Sequence, residues 1–72
     1  MAAAREELEK MGDTLNNLTK GSKEWKEALV ENNLKVLELL DTYPELARYI
    51  SKGLNGELTI KSEGWNEIIE RQ

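Results

Sequence analysis

Along the first part of the chain the apolar positions are Ala4, Leu8, Met11, Leu15 and Leu18, separated by 4, 3, 4 and 3 residues. This is the alternation of a heptad seam, and it predicts a helix from about Ala2 to Leu18. Alanine, glutamate, lysine and leucine fill its beginning and favour that state. Gly12 and Asp13 interrupt the pattern, at a cost of about 1 kcal/mol for the glycine. Two heptads are fewer than the three or four that an independent coiled coil requires. The segment 1–19 therefore has two readings. It is either an amphipathic helix packed on its own domain or the end of a longer coiled coil. In the second reading Leu8, Met11, Leu15 and Leu18 form an interaction surface.

A break follows at "TKGSKEW". Gly21 can adopt the left-handed conformation that ends helices, and Ser22 can accept a hydrogen bond from the free amides of the next turn. A second helix is expected from about Lys23 to Leu40. Trp25, Leu29, Val36 and Leu40 lie along one stripe, which Val30, Leu34 and Leu37 widen. So broad an apolar face suits a helix covered on more than one side. Asn32 and Asn33 sit at its edge.

Pro44 cannot continue that helix, and it disfavours helical geometry at Tyr43. It suits the first turn of a new helix, and Thr42 with Glu45 has capping-box spacing. A short helix is expected from about Pro44 to Ile50, ending near Gly53, with Leu46, Tyr49 and Ile50 facing inward. Asn55-Gly56 then signals a turn, since both residue types tolerate positive φ. Leu58 and Ile60 alternate about Thr59 as in a half-buried strand. Ser62 is placed to cap a last helix, Glu63 to Gln72, with Trp65, Ile68 and Ile69 as its apolar face. The expected fold is mainly α: a small helical module of three to four helices with a short extended or hairpin stretch near residues 54–60.

Residues 18–27 and 58–67 share a phrase. Leu18, Thr19, Ser22, Trp25 and Glu27 recur as Leu58, Thr59, Ser62, Trp65 and Glu67, each 40 positions later. Helical arrays repeat at about 34 to 47 residues, and each unit buries its face against the next. Read so, residues 20–72 hold one repeat unit and the opening of another. Read otherwise, two helix starts look alike because good caps look alike. On either reading Ser22 and Ser62 are caps and Trp25 and Trp65 are core residues; on the first, the last helix lacks its following unit and Trp25 is the better covered.

Composition narrows the chemistry. The 72 residues contain neither Cys nor His, so disulfides are excluded and the usual zinc ligands are missing. The commonest general base and the best nucleophile are missing too. A domain of this size buries only roughly 60% of its unfolded surface and leans on helix packing or a partner. The net charge of −4, with acids and bases interleaved, speaks against a nucleic-acid footprint. No apolar run approaches the roughly 20 residues of a membrane helix. The opening "MAAAREELEK" turns charged too soon for a signal peptide.

"SKGLNGELTIKS" invites comparison with a calcium loop, because Gly56 falls at loop position six if Ser51 is the first. Such a loop requires carboxylates where this chain has Ser51 and Gly53, and a glutamate where it has Ser62. Pairs such as Glu27 and Glu31 lie between lysines on polar faces. No catalytic, cofactor-binding or metal site is therefore expected. Ser22, Trp25, Pro44, Gly56, Ser62 and Trp65 are read as structural.

The stretch "LLDTYPELARYISKGLNGELTIKSEGW" resembles segments of large helical proteins of phage and prophage tails, the tape-measure type. The phrase "YPELARYI", a turn, "NGELTI" and a helix start look like a small module of such chains, over about a third of the sequence. The resemblance implies a non-enzymatic structural role in a long helical chain, of which 72 residues would be a piece. It implies no catalytic residues and no cofactor. Partners would be proteins: neighbouring segments of a longer chain, or a second copy met through the seam of the first helix. The expected location is the cytoplasm or the virion. The alternative is a stand-alone acidic adaptor or inhibitor using that seam as its interface.

Overall fold

The computed structural model describes residues 2–70. Two long helices, α1 (Ala2–Asn17) and α2 (Lys23–Thr42), are followed by a 3-10 helix (Pro44–Tyr49), strands β1 (Ile50–Lys52) and β2 (Leu58–Ile60), and helix α3 (Ser62–Glu70). The fold is mainly α with one small antiparallel hairpin. The end of the last helix at Gln72 and the side chain of Ile69 lie outside the described residues.

Helix α1 runs unbroken through Gly12 and Asp13. Its seam turns inward: Ala4 and Leu8 pack against the core, and Met11, Leu15 and Leu18 are half-buried. An ion pair of 3.0 Å between Lys35 Nζ and Glu7 Oε2 ties α1 to α2. Gly21 has the expected left-handed φ of 87°. Ser22 caps α2, accepting a 3.2 Å hydrogen bond from the Trp25 amide at its Oγ.

The second phrase behaves differently. Ser62 is the first residue of α3 rather than its cap. The carbonyl of Lys61, one residue earlier, receives the Gly64 and Trp65 amides at 2.9 and 3.4 Å. Thr42 likewise does not open the next helix. It closes α2, its hydroxyl donating to the Glu38 carbonyl at 3.2 Å, and Tyr43 makes the bend before Pro44.

The expected helix from Pro44 is a 3-10 helix that stops at Tyr49, and Ile50 enters a strand instead. The register pairs Ile50 with Ile60, Ser51 with Thr59 and Lys52 with Leu58. At the tip the Gly53 amide donates to the Glu57 carbonyl at 2.8 Å and the Gly56 amide to the Gly53 carbonyl at 3.1 Å. Gly56 takes φ of 86°, whereas Asn55 keeps a negative φ. The loop is therefore the three-residue one, Leu54, Asn55 and Gly56, closed by a left-handed glycine, not the two-residue form in which both residues are left-handed.

The core gathers Leu39 of α2, Leu46 of the 3-10 helix, and Trp65 and Ile68 of α3. Val36 is also fully buried. Leu39 stands outside the stripe expected for α2, while Trp25, Leu29 and Leu40 are only half-buried. Expected and observed burial diverge most at the two tryptophans. Trp65 is 5% exposed, whereas Trp25 is half-buried.

Gly64 explains how α3 comes so close. A Cβ at this position would lie 2.7 Å from Tyr49 Cβ and 3.2 Å from Ile60 Cγ2. A Cβ at Gly12 would meet nothing within 4 Å. Alanine favours a helix over glycine by up to about 1 kcal/mol. Gly12→Ala is therefore expected to stabilise the fold by about 0.5 to 1 kcal/mol. Gly64→Ala is expected to destabilise it by about 1 to 3 kcal/mol, since overpacking outweighs propensity. Denaturant unfolding of the two variants, with opposite shifts in midpoint, checks this.

Candidate interaction surface

The outward face of α2 is the most apolar exposed region among the described residues. Val30, Leu34 and Leu37 follow one another by four and then three positions, and so share one side of the helix. They are 58%, 56% and 50% exposed. They were expected to widen a covered face, and they are open instead. With α1 on one side and the hairpin on the other, α2 has neighbours enough to bury Val36 and Leu39 but nothing over this stripe.

Shallow hollows accompany the stripe. One, of about 340 Å³, lies around Leu34 between Met11, Lys35, Glu31 and Glu38. Another, of about 400 Å³, lies around Val30 between Lys26, Glu27 and Glu31. Glu27, Glu31 and Glu38 thus border the apolar positions. Among the described residues none of these three carboxylates is in an ion pair.

The hairpin wall is held by Asn32 and Asn33, in the middle of α2. Asn32 is buried. Its Nδ2 donates to the Leu58 carbonyl at 2.9 Å and to Asn33 Oδ1 at 3.1 Å. Asn33 Oδ1 accepts from the Leu58 amide at 2.9 Å, and its Nδ2 donates to the Gly56 carbonyl at 3.0 Å. Both backbone groups of Leu58 are thereby taken by side chains from one helix. The pair looks from sequence like polar residues at the rim of an apolar face; its partners lie some 25 residues away and leave no local trace.

A further concavity, of about 280 Å³, opens between Leu8 and Gly12 of α1 and Leu58, Ile60 and Trp65. Arg5 and Glu9, paired at 3.3 Å, stand at its mouth. Asn32 also reaches its wall, but that amide is committed to Leu58 and Asn33. No buried side-chain nitrogen or oxygen among the described residues lacks a partner.

Of the residues expected to carry an interface, Leu8 faces the core and Met11, Leu15 and Leu18 are half-buried. Met11 also lines the hollow beside Leu34. Of the residues read as structural, Ser22 is a cap, Gly56 a turn residue and Trp65 a core residue. Pro44 opens the 3-10 helix. The described residues hold no group of three or more carboxylates placed to bind a metal ion. One titration is displaced: hydrogen bonding to the Glu67 carboxylate, with some burial, holds the Tyr49 phenol above its ordinary value. Tyr49 sits beside Gly64 in the packed corner, away from the stripe.

Comparison of the chain with protein-family models, curated proteins and solved structures finds no match. No helix among the described residues is long and apolar enough to cross a membrane.

Proposed function

We propose that this chain is a non-enzymatic structural or protein-interaction module, working as a piece of a larger helical scaffold of the phage-tail tape-measure type. One observation carries the interaction reading: Val30, Leu34 and Leu37 form an apolar stripe that its own fold leaves open. Three half-exposed aliphatic side chains on one helix forgo burial worth roughly 1 kcal/mol each. Contiguous exposed apolar surface of this kind marks a contact site. The scaffold assignment rests on the resemblance of the sequence 39–65 to segments of such tail proteins.

A second reading has its own support. The glutamates bordering the stripe suit a small acidic adaptor or inhibitor that recognises one partner. Fractionation of cells carrying the gene, followed by peptide mass spectrometry, separates the two. A tail component is recovered in assembled particles, within or beside a long helical protein. An adaptor is recovered as a free small chain or in a stoichiometric soluble complex, and that outcome would retire the scaffold reading.

A further inference from the structure

The open face of α2 has a charge pattern as well as an apolar centre, and the two together constrain what can cover it. Resting on the interaction reading above, we infer that its occupant is an amphipathic helix of a partner protein, apolar along one side and carrying lysine or arginine along the border of that side. The stripe follows the four-then-three spacing of a helix-docking seam. Its border is acidic at Glu27, Glu31 and Glu38, and none of these carboxylates is neutralised by an ion pair among the described residues. Lys35 lies nearby but is engaged by Glu7 at 3.0 Å, and Lys26 stands beside Val30. The local balance is negative, in keeping with the chain's net charge of −4.

A second copy fits this face poorly. The seam positions that extend the stripe in either direction along α2 are Glu27 and Asp41. A parallel copy sets each of them against its own counterpart. An antiparallel copy that sets Leu34 against Leu37 or against Val30 places Asp41 on Val30 or Glu27 on Leu37. The first brings acid to acid, where like charges oppose association, and the second lays a carboxylate on an apolar side chain, which costs its desolvation. A basic-bordered helix meets the same carboxylates with attraction and covers the same leucines.

The test uses the whole chain and three synthetic peptides of about three heptads. The first has leucine at the seam positions and lysine along the border. The second keeps the seam but has glutamate along the border. The third scrambles the first, preserving its charge and destroying its stripe. Chemical-shift mapping on the labelled chain, with sedimentation on the chain alone, reads the outcome. The expected result is binding of the first peptide with shifts centred on Val30, Leu34 and Leu37. That binding should be weakened about tenfold or more by Leu34→Glu, with helical content unchanged. It should also weaken as sodium chloride rises from about 0.05 to about 0.5 M. The triple replacement of Glu27, Glu31 and Glu38 by glutamine should lower affinity at low salt only.

Equal binding of the second peptide, or of the scrambled one, overturns the basic-helix assignment while leaving the interaction reading in place. So does self-association that Leu34→Glu abolishes, for then the occupant is a second copy. If no peptide shifts any α2 resonance and the chain stays monomeric at every concentration, the inference and the interaction reading fall together.

Discussion

Trp65→Ala is expected to cost about 3 to 5 kcal/mol, the range for emptying a fully buried aromatic site. Trp65 is 5% exposed and packs with Leu39, Leu46 and Ile68, with Leu8 and Ile60 adding to the cluster. Removing the indole would undo the one place where both long helices, the 3-10 helix, the hairpin and α3 converge. A domain of this length has roughly 4 to 11 kcal/mol of stability, so the variant is expected to be largely unfolded or close to it at 25 °C. Trp25→Ala should cost less, about 1 to 2 kcal/mol, because Trp25 is half-buried and its loss leaves a dent open to water rather than a sealed cavity. Circular dichroism and denaturant unfolding of both variants provide the measurement. A costlier Trp25 would mean that the corner built around Gly64 is not the keystone of the fold.

The second large effect belongs to Asn33. Asn33→Ala removes an acceptor from the Leu58 amide, a donor from the Gly56 carbonyl and a partner from Asn32 Nδ2. At about 1 kcal/mol per bond, and more where a buried group is left without a partner, the loss should reach about 3 kcal/mol. Asn33→Asp should cost less, because a carboxylate still accepts from the Leu58 amide although it repels the Gly56 carbonyl. Amide hydrogen exchange distinguishes this from a general weakening. Exchange at Leu58 should accelerate more than exchange in the middle of α1.

These two sites show what the chain states locally and what it does not. The seam spacing of α1, the Ser22 cap, the Pro44 start and the Gly56 turn follow from contacts within a few residues, and the structure has each where the pattern puts it. Strand β1 has three residues, too few to display an alternation. It follows directly on a proline-led turn of helix, so Ile50 looks helical until it pairs with Ile60. The shared phrase conceals one difference that matters. Glu24 in the first copy stands where Gly64 stands in the second, and only the glycine lets the backbone of α3 approach Tyr49. The burial of Trp65 follows from that close approach, which is a property of three segments at once.

The open stripe was illegible for the opposite reason. A broad apolar face reads the same whether neighbours cover it or leave part of it bare. Only the placement of α1 and the hairpin reveals that Val36 and Leu39 are inside while Leu34 is not.

The asparagine pair has a consequence for solubility. A three-residue hairpin is too small to persist in water unaided, and one side of β2 faces β1. In an antiparallel pair, alternate residues point their backbone groups away from the neighbour. Thr59 lies between the bonds that Glu57 and Lys61 make to the first arm, so Leu58 offers its amide and carbonyl on the far side. Such an edge is a template on which another chain can add a strand. Asn32 and Asn33 occupy it from the middle of a helix, standing in for a third strand without supplying one. Any event that unwinds the centre of α2 would release Leu58 and its neighbours to pair between molecules, so partial unfolding of this chain should lead to aggregation through β2 before the remaining helices melt.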